Sequence, residues 1–405
     1  MFVFINQSST LMKKLYFFLI FSGICLSANA QTMTPEKLWE LQRVSPISLT
    51  NDGQQVIFST SSYDISTNSS SSKTFVLPLK GGDPTQIKSY DSIYTDAKVS
   101  PSGQYKLVSK EVKVEPVSGE DFYPEMEKSD VYIYDDLNYR HWDTWEDGKY
   151  NHLFIKDLSS EEEWDIMEGE PYDTPLKPFG GSEDYIWNSD GSKVFYVSKK
   201  LKGKDYAEST NSDIYSYDLT SKTTTNLTED NEGYDTSPAV SKDGTLAWLQ
   251  MDEPGYEADK NDIIVLRDGQ KQNLTKDWDG TVSSFLWSKD GKKLFFLAPT
   301  MGTKQLFEVN LPKEGSGEVK QITEGQFDIT GMVGQTDNSM VVTRTDMNHA
   351  SEIYIVDLKS GKMDQLSHAN DSFYNGIKLS KVEKKDDPNH RRKRNANLGD
   401  LPTRL

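Results

Sequence analysis

The stretch WNSDGSKVFYVS, residues 187–198, decides the fold because it recurs along the chain. In each copy a small polar turn, usually Asp-Gly, separates two alternating apolar segments. Such a turn is the strongest short signal for a β-hairpin, because its residues need positive φ angles. The other copies are LTNDGQQVIFST (49–60), VSPSGQYKLVSK (99–110), VSKDGTLAWLQM (240–251), WSKDGKKLFFLA (287–298) and GQTDNSMVVTRT (334–345), the last with Asn338 in the glycine position.

A second hairpin pattern follows each first one, as in DIYSYDLTSKTTTNLTE (213–229) and EIYIVDLKSGKMDQLSH (352–368). Two hairpins per unit predict a four-stranded antiparallel blade. The last four copies of the turn are 53, 47 and 47 residues apart, and repeats of this length with four strands indicate a β-propeller. We therefore predict an all-β fold with six recognisable blades and an incomplete seventh beginning at 372–384. An open sandwich or separate sheets are the alternative.

The repeat also accounts for two apparent glycosylation sequons. Asn226 and Asn273 each begin an Asn-Leu-Thr triplet, but the same strand end has Gln321 and Gln365 in other blades. Structural repetition is therefore the preferred interpretation. The Asp-Gly turns lack the spacing of a calcium-binding loop and are interpreted as bare turns.

Composition excludes several classes of function. The chain has 405 residues and a net charge of −18, which argues against nucleic-acid binding because that needs a basic surface. The single cysteine, Cys25, lies in an apolar amino-terminal segment, so the mature chain has no disulfide or cysteine-bound metal. No phosphate-binding loop, dinucleotide fingerprint or H-E-x-x-H motif is present. We predict no cofactor.

The amino terminus has the pattern of a secretory signal peptide over residues 1–30. Two lysines precede an apolar run at 15–26, and an Ala-x-Ala cleavage motif ends at Ala30. Met12 is interpreted as the true start of translation. The apolar run is too short to span a bilayer comfortably, so we predict no stable membrane span after cleavage. The predicted location is outside the cytoplasm, periplasmic or extracellular.

An insertion at about 111–150 interrupts the repeat and contains Arg140, His141, Trp142 and Trp145. Arginine presents a fork of donors for carboxylates, and tryptophans offer stacking surface. These four residues are our candidates for a substrate-facing element. The alternative is a packing cluster that anchors the insertion, with Arg140 paired to Asp143, Glu146 or another acid.

The phrase YRHWDTWEDGKYNHLFI (139–155), the blade turns and the signal peptide together resemble the propeller of the prolyl oligopeptidase family of serine peptidases, in its acylaminoacyl-peptidase and dipeptidyl-peptidase-V branch. The resemblance covers roughly residues 33–384. It implies a seven- or eight-bladed propeller that precedes an α/β-hydrolase domain and restricts its Ser-Asp-His triad to short peptides. A peptide substrate and that hydrolase domain are the implied partners in the intact parent.

The chain contains no G-x-S-x-G nucleophile elbow, and none of its five histidines is placed as a triad base. No catalytic residue is therefore assigned, and we predict that this chain alone is inactive. The favoured function is the non-catalytic, substrate-gating propeller of an exported peptidase, truncated before its hydrolase domain. A stand-alone exported propeller that serves as a binding module is the first alternative, and an enzyme active within the propeller is the second.

The last residues, 385–405, are basic and unpatterned, with HRRKR at 390–394. A disordered basic tail is one interpretation. The other is a frameshift product, because Lys384-Lys385 can be encoded by a run of adenines and a displaced frame can encode a further strand. We therefore exclude this tail from the predicted propeller, which spans residues 31–384.

Overall fold

The computed structural model describes residues 31–126, 128 and 130–383. They divide into two compact units. The larger unit comprises residues 43–61 and 71–368, and it consists of six antiparallel sheets that follow one another along the chain. The predicted all-β propeller of four-stranded blades is confirmed. The predicted signal peptide at 1–30 and the tail at 385–405 lie outside the described residues.

The strands are numbered in chain order. The first is β1 (Gln31–Thr32). Blade 1 contains β2 (Arg43–Leu49), β3 (Gln55–Asp64), β4 (Ser69–Pro78) and β5 (Thr85–Ile87). Blade 2 begins with β6 (Tyr105–Lys113), after which β7 (Arg140–His141) and β8 (Thr144–Trp145) form a separate pair, and it continues with β9 (Lys149–Asp157) and β10 (Glu163–Asp165). A bridge between Val99 and Lys106 marks the fourth, innermost strand of blade 2.

The remaining blades are regular. Blade 3 contains β11 (Tyr185–Trp187), β12 (Lys193–Ser198), β13 (Asp213–Asp218) and β14 (Thr223–Asn226). Blade 4 contains β15 (Asp235–Val240), β16 (Leu246–Gln250), β17 (Asp262–Arg267) and β18 (Gln270–Asn273). Blade 5 contains β19 (Ser284–Trp287), β20 (Lys293–Thr300), β21 (Thr303–Asn310) and β22 (Val319–Gln321). Blade 6 contains β23 (Asp328–Gln335), β24 (Ser339–Thr345), β25 (Glu352–Asp357) and β26 (Met363–Gln365), and β27 (Ile377–Lys378) follows it.

Helices are few and short. They are α1 (Pro35–Glu40), α2 (Gly119–Phe122), α3 (Gly203–Glu208) and α4 (Asp371–Tyr374), with one 3₁₀ turn at Ser182–Asp184. No helix in the described ranges has the length and apolar character needed to cross a membrane.

The repeated Asp-Gly phrase forms the turn between the first two strands of each blade. In blade 5, the Asp290 carboxylate accepts hydrogen bonds from the Ser288 hydroxyl at 2.7 Å and the Lys292 amide at 3.1 Å. Gly291 has a φ of 67°, which side chains disfavour and glycine adopts freely. These local contacts stabilise the turn.

A second repeated contact fastens the third strand of a blade to the end of its fourth. In blade 4, the Thr275 hydroxyl donates to the buried Asp262 carboxylate at 2.6 Å and accepts from the Ile263 amide at 3.0 Å. The equivalent pairs in blades 3, 5 and 6 are Thr228 with Asp213, Thr323 with Gln305 and Ser367 with Glu352. The threonine of each apparent sequon is therefore a buried fastening residue, which supports structural repetition as the reason for the triplets.

Replacing Thr275 by valine is expected to lower the free energy of unfolding by about 1–3 kcal/mol, because the Ile263 amide and the Asp262 carboxylate both lose a buried partner. Denaturant titration of the variant measures the change. Thr225→Val, at an exposed position of β14, should change stability by less than about 0.5 kcal/mol. Equal effects of the two substitutions would contradict the fastening role.

The hydrophobic cores lie between successive blades. Between blades 3 and 4, Val197 and Ile214 pack with Leu246 and the fully buried Trp248. Apolar residues of blades 5 and 6 form an equivalent cluster. Each of these blades therefore buries apolar side chains against its neighbour, and this burial contributes to the stability of both.

The ring closes with six blades. Strand β2 of blade 1 lies beside β23 of blade 6, and Leu49 packs closely over Gly334. The structure does not show the seventh blade that we predicted at 372–384. In the described part of that stretch, residues 371–374 form helix α4, and only Ile377–Lys378 form a strand, which pairs in parallel with β1. A blade needs antiparallel neighbours, and this strand has none.

The larger unit has two different faces. Consecutive strands of a blade are antiparallel, so all turns between first and second strands lie on one face, called here the turn face. Connections between second and third strands, and from one blade to the next, lie on the opposite face, called here the loop face. Most of the large exposed apolar side chains of blades 2 to 6 lie on the loop face, including Phe179, Tyr256, Met301 and Met347.

The smaller unit comprises residues 31–42, 62–70 and 369–383 of the described chain. Thr34 caps helix α1 by accepting a hydrogen bond from the Lys37 amide at 3.4 Å. Trp39 contacts Tyr63 edge to face at 5.6 Å, and both side chains are more than two-fifths exposed. The segments of this unit that lie far apart in sequence therefore pack together.

Candidate functional site

The hairpin of β7 and β8 holds the four residues that we predicted from the sequence. Arg140 pairs with Trp145 and His141 pairs with Thr144 across the two strands. The Arg140 Nε donates a hydrogen bond to the Trp142 carbonyl at 2.6 Å, and its guanidinium lies 5.2 Å from the centre of the Trp145 ring. Arg140 therefore closes its own hairpin. Among the described residues no ion pair joins Arg140 to Asp143, Glu146 or another acid, so its contacts are those within the hairpin.

Trp145 is the centre of an aromatic stack. Its ring lies 6.1 Å from Tyr132, 6.3 Å from Tyr134 and 6.2 Å from Tyr139, with interplanar angles of 16–22°. Tyr132, Tyr139 and Trp145 remain 44–45% exposed. These rings line an open groove of about 660 Å³, together with Asp135, Asp136 and Leu137. The stack offers a flat apolar surface for a ligand group.

Trp142 lies at the tip of the hairpin, 68% exposed and with a φ of 51°. It contacts His141 at 5.0 Å and Phe179 of the next connection at 5.2 Å, both edge to face. Of the four predicted residues, Trp145 lines the groove described above. Arg140, His141 and Trp142 shape and support the hairpin.

A second, more enclosed cavity of about 420 Å³ adjoins the groove, and the two share the segment 134–137. Its walls come from the blade 2 insertion, from the connection between blades 2 and 3, and from the loop before α3. Five acidic residues line it, and these are Glu115, Asp135, Asp136, Glu146 and Asp173. The other polar and aromatic residues of the lining are Lys202, Asn138, Phe122, Tyr134, Tyr150 and Tyr206. We call it the acidic cavity.

The elements around the acidic cavity are fixed locally. Helix α2 is held by Asp121, whose carboxylate accepts from the Val117 amide at 2.7 Å and the Ser118 amide at 2.8 Å and pairs with Lys113 at 2.9 Å. The Tyr150 hydroxyl donates to the Glu115 carboxylate at 2.7 Å. These contacts give the insertion a defined shape rather than that of a loose loop.

Two carboxylates of the cavity, Asp173 and Glu146, could accept further hydrogen bonds. Asp173 is 8% exposed, and its Oδ1 accepts from the Asn151 amide at 2.7 Å and lies 3.4 Å from the Lys177 ammonium. Among the described residues its Oδ2 has no hydrogen-bond partner, and neither does the carboxylate of Glu146. Burial raises the pKa of both side chains above the ordinary value. A cationic group in the cavity would donate hydrogen bonds to these carboxylates and would lower their pKa values again.

The groove and the acidic cavity form an arrangement that can bind a ligand. In the described ranges, no group of three or more metal-ligating side chains is placed to hold an ion. His152 is buried, and its ring nitrogens contact Asp165 and the Glu170 carbonyl. The chemistry available here is recognition of a cationic or hydrogen-bond-donating group beside an aromatic surface.

Comparison with known proteins gives a consistent assignment. No protein-family model matches the chain. It is 31% identical to dipeptidyl-peptidase 5 of Porphyromonas gingivalis over 407 residues, which cover 88% of this chain and 59% of that protein. The chain is homologous to dipeptidyl-peptidase 5. A dipeptidyl-peptidase 5 of Porphyromonas endodontalis is 30% identical, with 85% of this chain and 56% of that protein covered.

Among solved structures, an acylaminoacyl peptidase of Pyrococcus horikoshii matches with a TM-score of 0.61 and 15% identity, covering 86% of this chain and 56% of that one. This likeness shows the fold, a propeller like that of the prolyl oligopeptidase family. The chain spans less than three-fifths of the length of the dipeptidyl-peptidases 5 that it matches.

Proposed function

We propose that this chain is the non-catalytic, substrate-gating propeller part of an exported serine peptidase that acts on short peptides. The homology to dipeptidyl-peptidase 5 supports the peptidase assignment. The observation that carries the proposal is the acidic cavity, which opens on the loop face beside the aromatic stack.

The loop face has the character expected of a surface that faces a catalytic part. Exposed apolar side chains such as Phe179, Met301 and Met347 are spread over its connections, and each is at least 75% exposed. A peptide held in the acidic cavity would lie on this same face, between the propeller and the catalytic part.

The lining of the acidic cavity suits the amino-terminal end of a peptide. A free α-amino group is cationic at neutral pH and would pair with Glu146 and with Oδ2 of Asp173. The neighbouring rings of Tyr134 and Trp145 would contact an adjacent side chain. A volume of about 420 Å³ lies within the range of small-ligand cavities and limits the length of peptide enclosed.

The tripeptide Ala-Phe-Ala is therefore expected to bind the purified chain at least tenfold more tightly than its Nα-acetyl form. Acetylation removes the charge that the carboxylates would pair with, and a charged hydrogen bond contributes about 1.5–3 kcal/mol. Isothermal titration calorimetry measures both affinities. Equal affinities, or an absence of binding by either peptide, would count against the proposal.

The gating and export parts of the proposal have their own tests. A twelve-residue peptide with the same first three residues should bind more weakly than Ala-Phe-Ala if the cavity restricts peptide length.

Mass spectrometry of the protein recovered from outside the cytoplasm should find a chain that begins near Gln31. Recovery of the uncleaved chain from the cytoplasm alone would contradict export.

A further inference from the structure

His152 is a buried histidine on β9, two residues from Tyr150 of the acidic cavity, and it does not line that cavity. It is 0% exposed. Its Nδ1 is 2.6 Å from Asp165 Oδ2, and its Nε2 is 2.8 Å from the carbonyl oxygen of Glu170. Both ring nitrogens therefore face oxygen acceptors, and no water is needed to satisfy either of them.

The chemistry of these acceptors indicates the protonation state. A carbonyl oxygen can only accept, so Nε2 carries a hydrogen. The carboxylate oxygen at Nδ1 requires a second hydrogen between the two atoms, and an imidazolium paired with a carboxylate supplies it. Burial by itself would lower the pKa of His152, but the hydrogen bond and charge of Asp165, together with Glu170, outweigh burial and raise it.

The two contacts of the ring hold the segment 165–170 at both ends. Asp165 also accepts a hydrogen bond from the Met167 amide at 2.7 Å through its other oxygen. Asn151, which precedes His152 on β9, contacts the residues that follow this segment. Its amide donates to Asp173 Oδ1, and its carbonyl accepts from the Thr174 amide at 2.7 Å. His152 thus contacts positions 165 and 170, and the neighbouring Asn151 backbone contacts positions 173 and 174 of the same stretch.

We propose that His152 is a positioning residue for the acidic cavity, whose doubly protonated ring fixes the 165–174 segment so that Asp173 is presented to a bound peptide. This inference rests on the proposed peptide-binding function. A neutral imidazole has one N–H and can satisfy only one of its two acceptors. Loss of either contact would release one end of the segment and weaken peptide binding as the pH rises.

Other charged groups surround the ring and would tune this response. Glu170 pairs with Lys200 at 2.6 Å, and Asp173 lies near Lys177. On β6, Lys110 stands opposite His152 and pairs with Glu163 of β10. These lysines pair with the nearby acids. Asp165 is the carboxylate that bonds directly to the ring.

The test uses the full chain and needs no mutation for its first step. Nitrogen-15 NMR of the histidine ring should show two N–H groups on His152 at pH 6. As the pH rises through the titration of this ring, exchange of the Met167 and Thr174 amides should accelerate at least tenfold beyond the intrinsic rate. The Ile264 amide in blade 4 should not respond. A ring with one proton at pH 6, or unchanged amide protection through its titration, would overturn the proposal.

Two variants make the test specific. Asp165→Asn keeps an acceptor but removes the charge, so the transition should move to lower pH by about one unit or more. His349→Gln, at an exposed position of blade 6, should leave the transition unchanged. Binding of Ala-Phe-Ala should fall across the same pH interval, and a transition in the amides without a change in affinity would contradict the positioning role. Absence of peptide binding at every pH would instead contradict the proposed function, while the amide exchange would still decide whether His152 holds Asp173.

Discussion

Trp248→Ala is expected to lower the free energy of unfolding by about 3–5 kcal/mol, the largest stability change that we expect from a single substitution. Trp248 is fully buried between blades 3 and 4, where it packs against Val197 and Ile214. Its indole nitrogen donates a hydrogen bond to the buried Asp235 carboxylate at 2.6 Å. The variant therefore creates a cavity and also removes a donor from a buried acid. Denaturant titration measures the loss.

Trp248→Phe separates these two effects, because it retains most of the packing and removes only the donor. Its expected cost is about 1–3 kcal/mol. Met301→Ala, at a 76% exposed position, serves as the control and should change stability by less than about 0.5 kcal/mol. A Trp248→Ala variant as stable as the Met301→Ala variant would contradict the packing between blades.

Asp235 also makes stability depend on pH. Burial raises the pKa of its side chain to about 7, against hydrogen bonds from Asn231 and Trp248 that lower it. Between its ordinary pKa of 3.8 and about 7, the folded state holds a proton that the unfolded state releases. The contribution of Asp235 is therefore lost as the pH rises from about 4 to about 7. Asp235→Asn should remove this dependence, which urea titrations at several pH values would detect.

Glu146→Gln is expected to weaken binding of Ala-Phe-Ala about tenfold, and combination with Asp173→Asn should weaken it by up to about a hundredfold. The reason is that each substitution removes one negative charge from the acidic cavity without a change in side-chain size. Both residues line that cavity, and the Glu146 carboxylate has no hydrogen-bond partner among the described residues. Calorimetric titration of each variant measures the affinity.

Glu120→Gln provides a matched control, because Glu120 lies on the same insertion and is exposed but does not line the cavity. It makes the same change in net charge and should alter affinity less than twofold. If all three substitutions weaken binding equally, the effect comes from the general charge of the protein rather than from the acidic cavity. The response of each variant to added salt would report the same distinction, since long-range attraction is screened first.

The six blades could be predicted from the sequence because each carries its own local signal. An Asp-Gly turn such as Asp290-Gly291 is stabilised by contacts within five residues, so residues adjacent in sequence are enough to predict its conformation. The seventh blade was predicted from the alternating residues near Ile377, which resemble a strand. In the structure, that strand pairs with β1, more than 300 residues earlier in the chain, and local pattern cannot reveal a partner at such a distance.

The candidate site could be predicted only in part. The clustered aromatic residues of the sequence indicate a site in the insertion, and Trp145 lines a groove there. The acidic cavity was missed because its walls join residues such as Glu115, Asp173 and Lys202, which are separated by many residues in a chain with 63 acids. Neither spacing nor composition distinguishes these acids from those on the surface. Folding of the insertion against the next blade is what brings them together.

We propose that the loop face of this propeller binds short peptides at the acidic cavity. The most direct test is photo-crosslinking of the full chain with a free-amine tripeptide that carries a benzophenone side chain, followed by mass spectrometry of the labelled segments. We expect labels within residues 132–150 and 171–206, and protection by excess Ala-Phe-Ala. Labels on the turn face, at residues 241–245 or 288–292, or labelling that excess peptide does not reduce, would contradict this account.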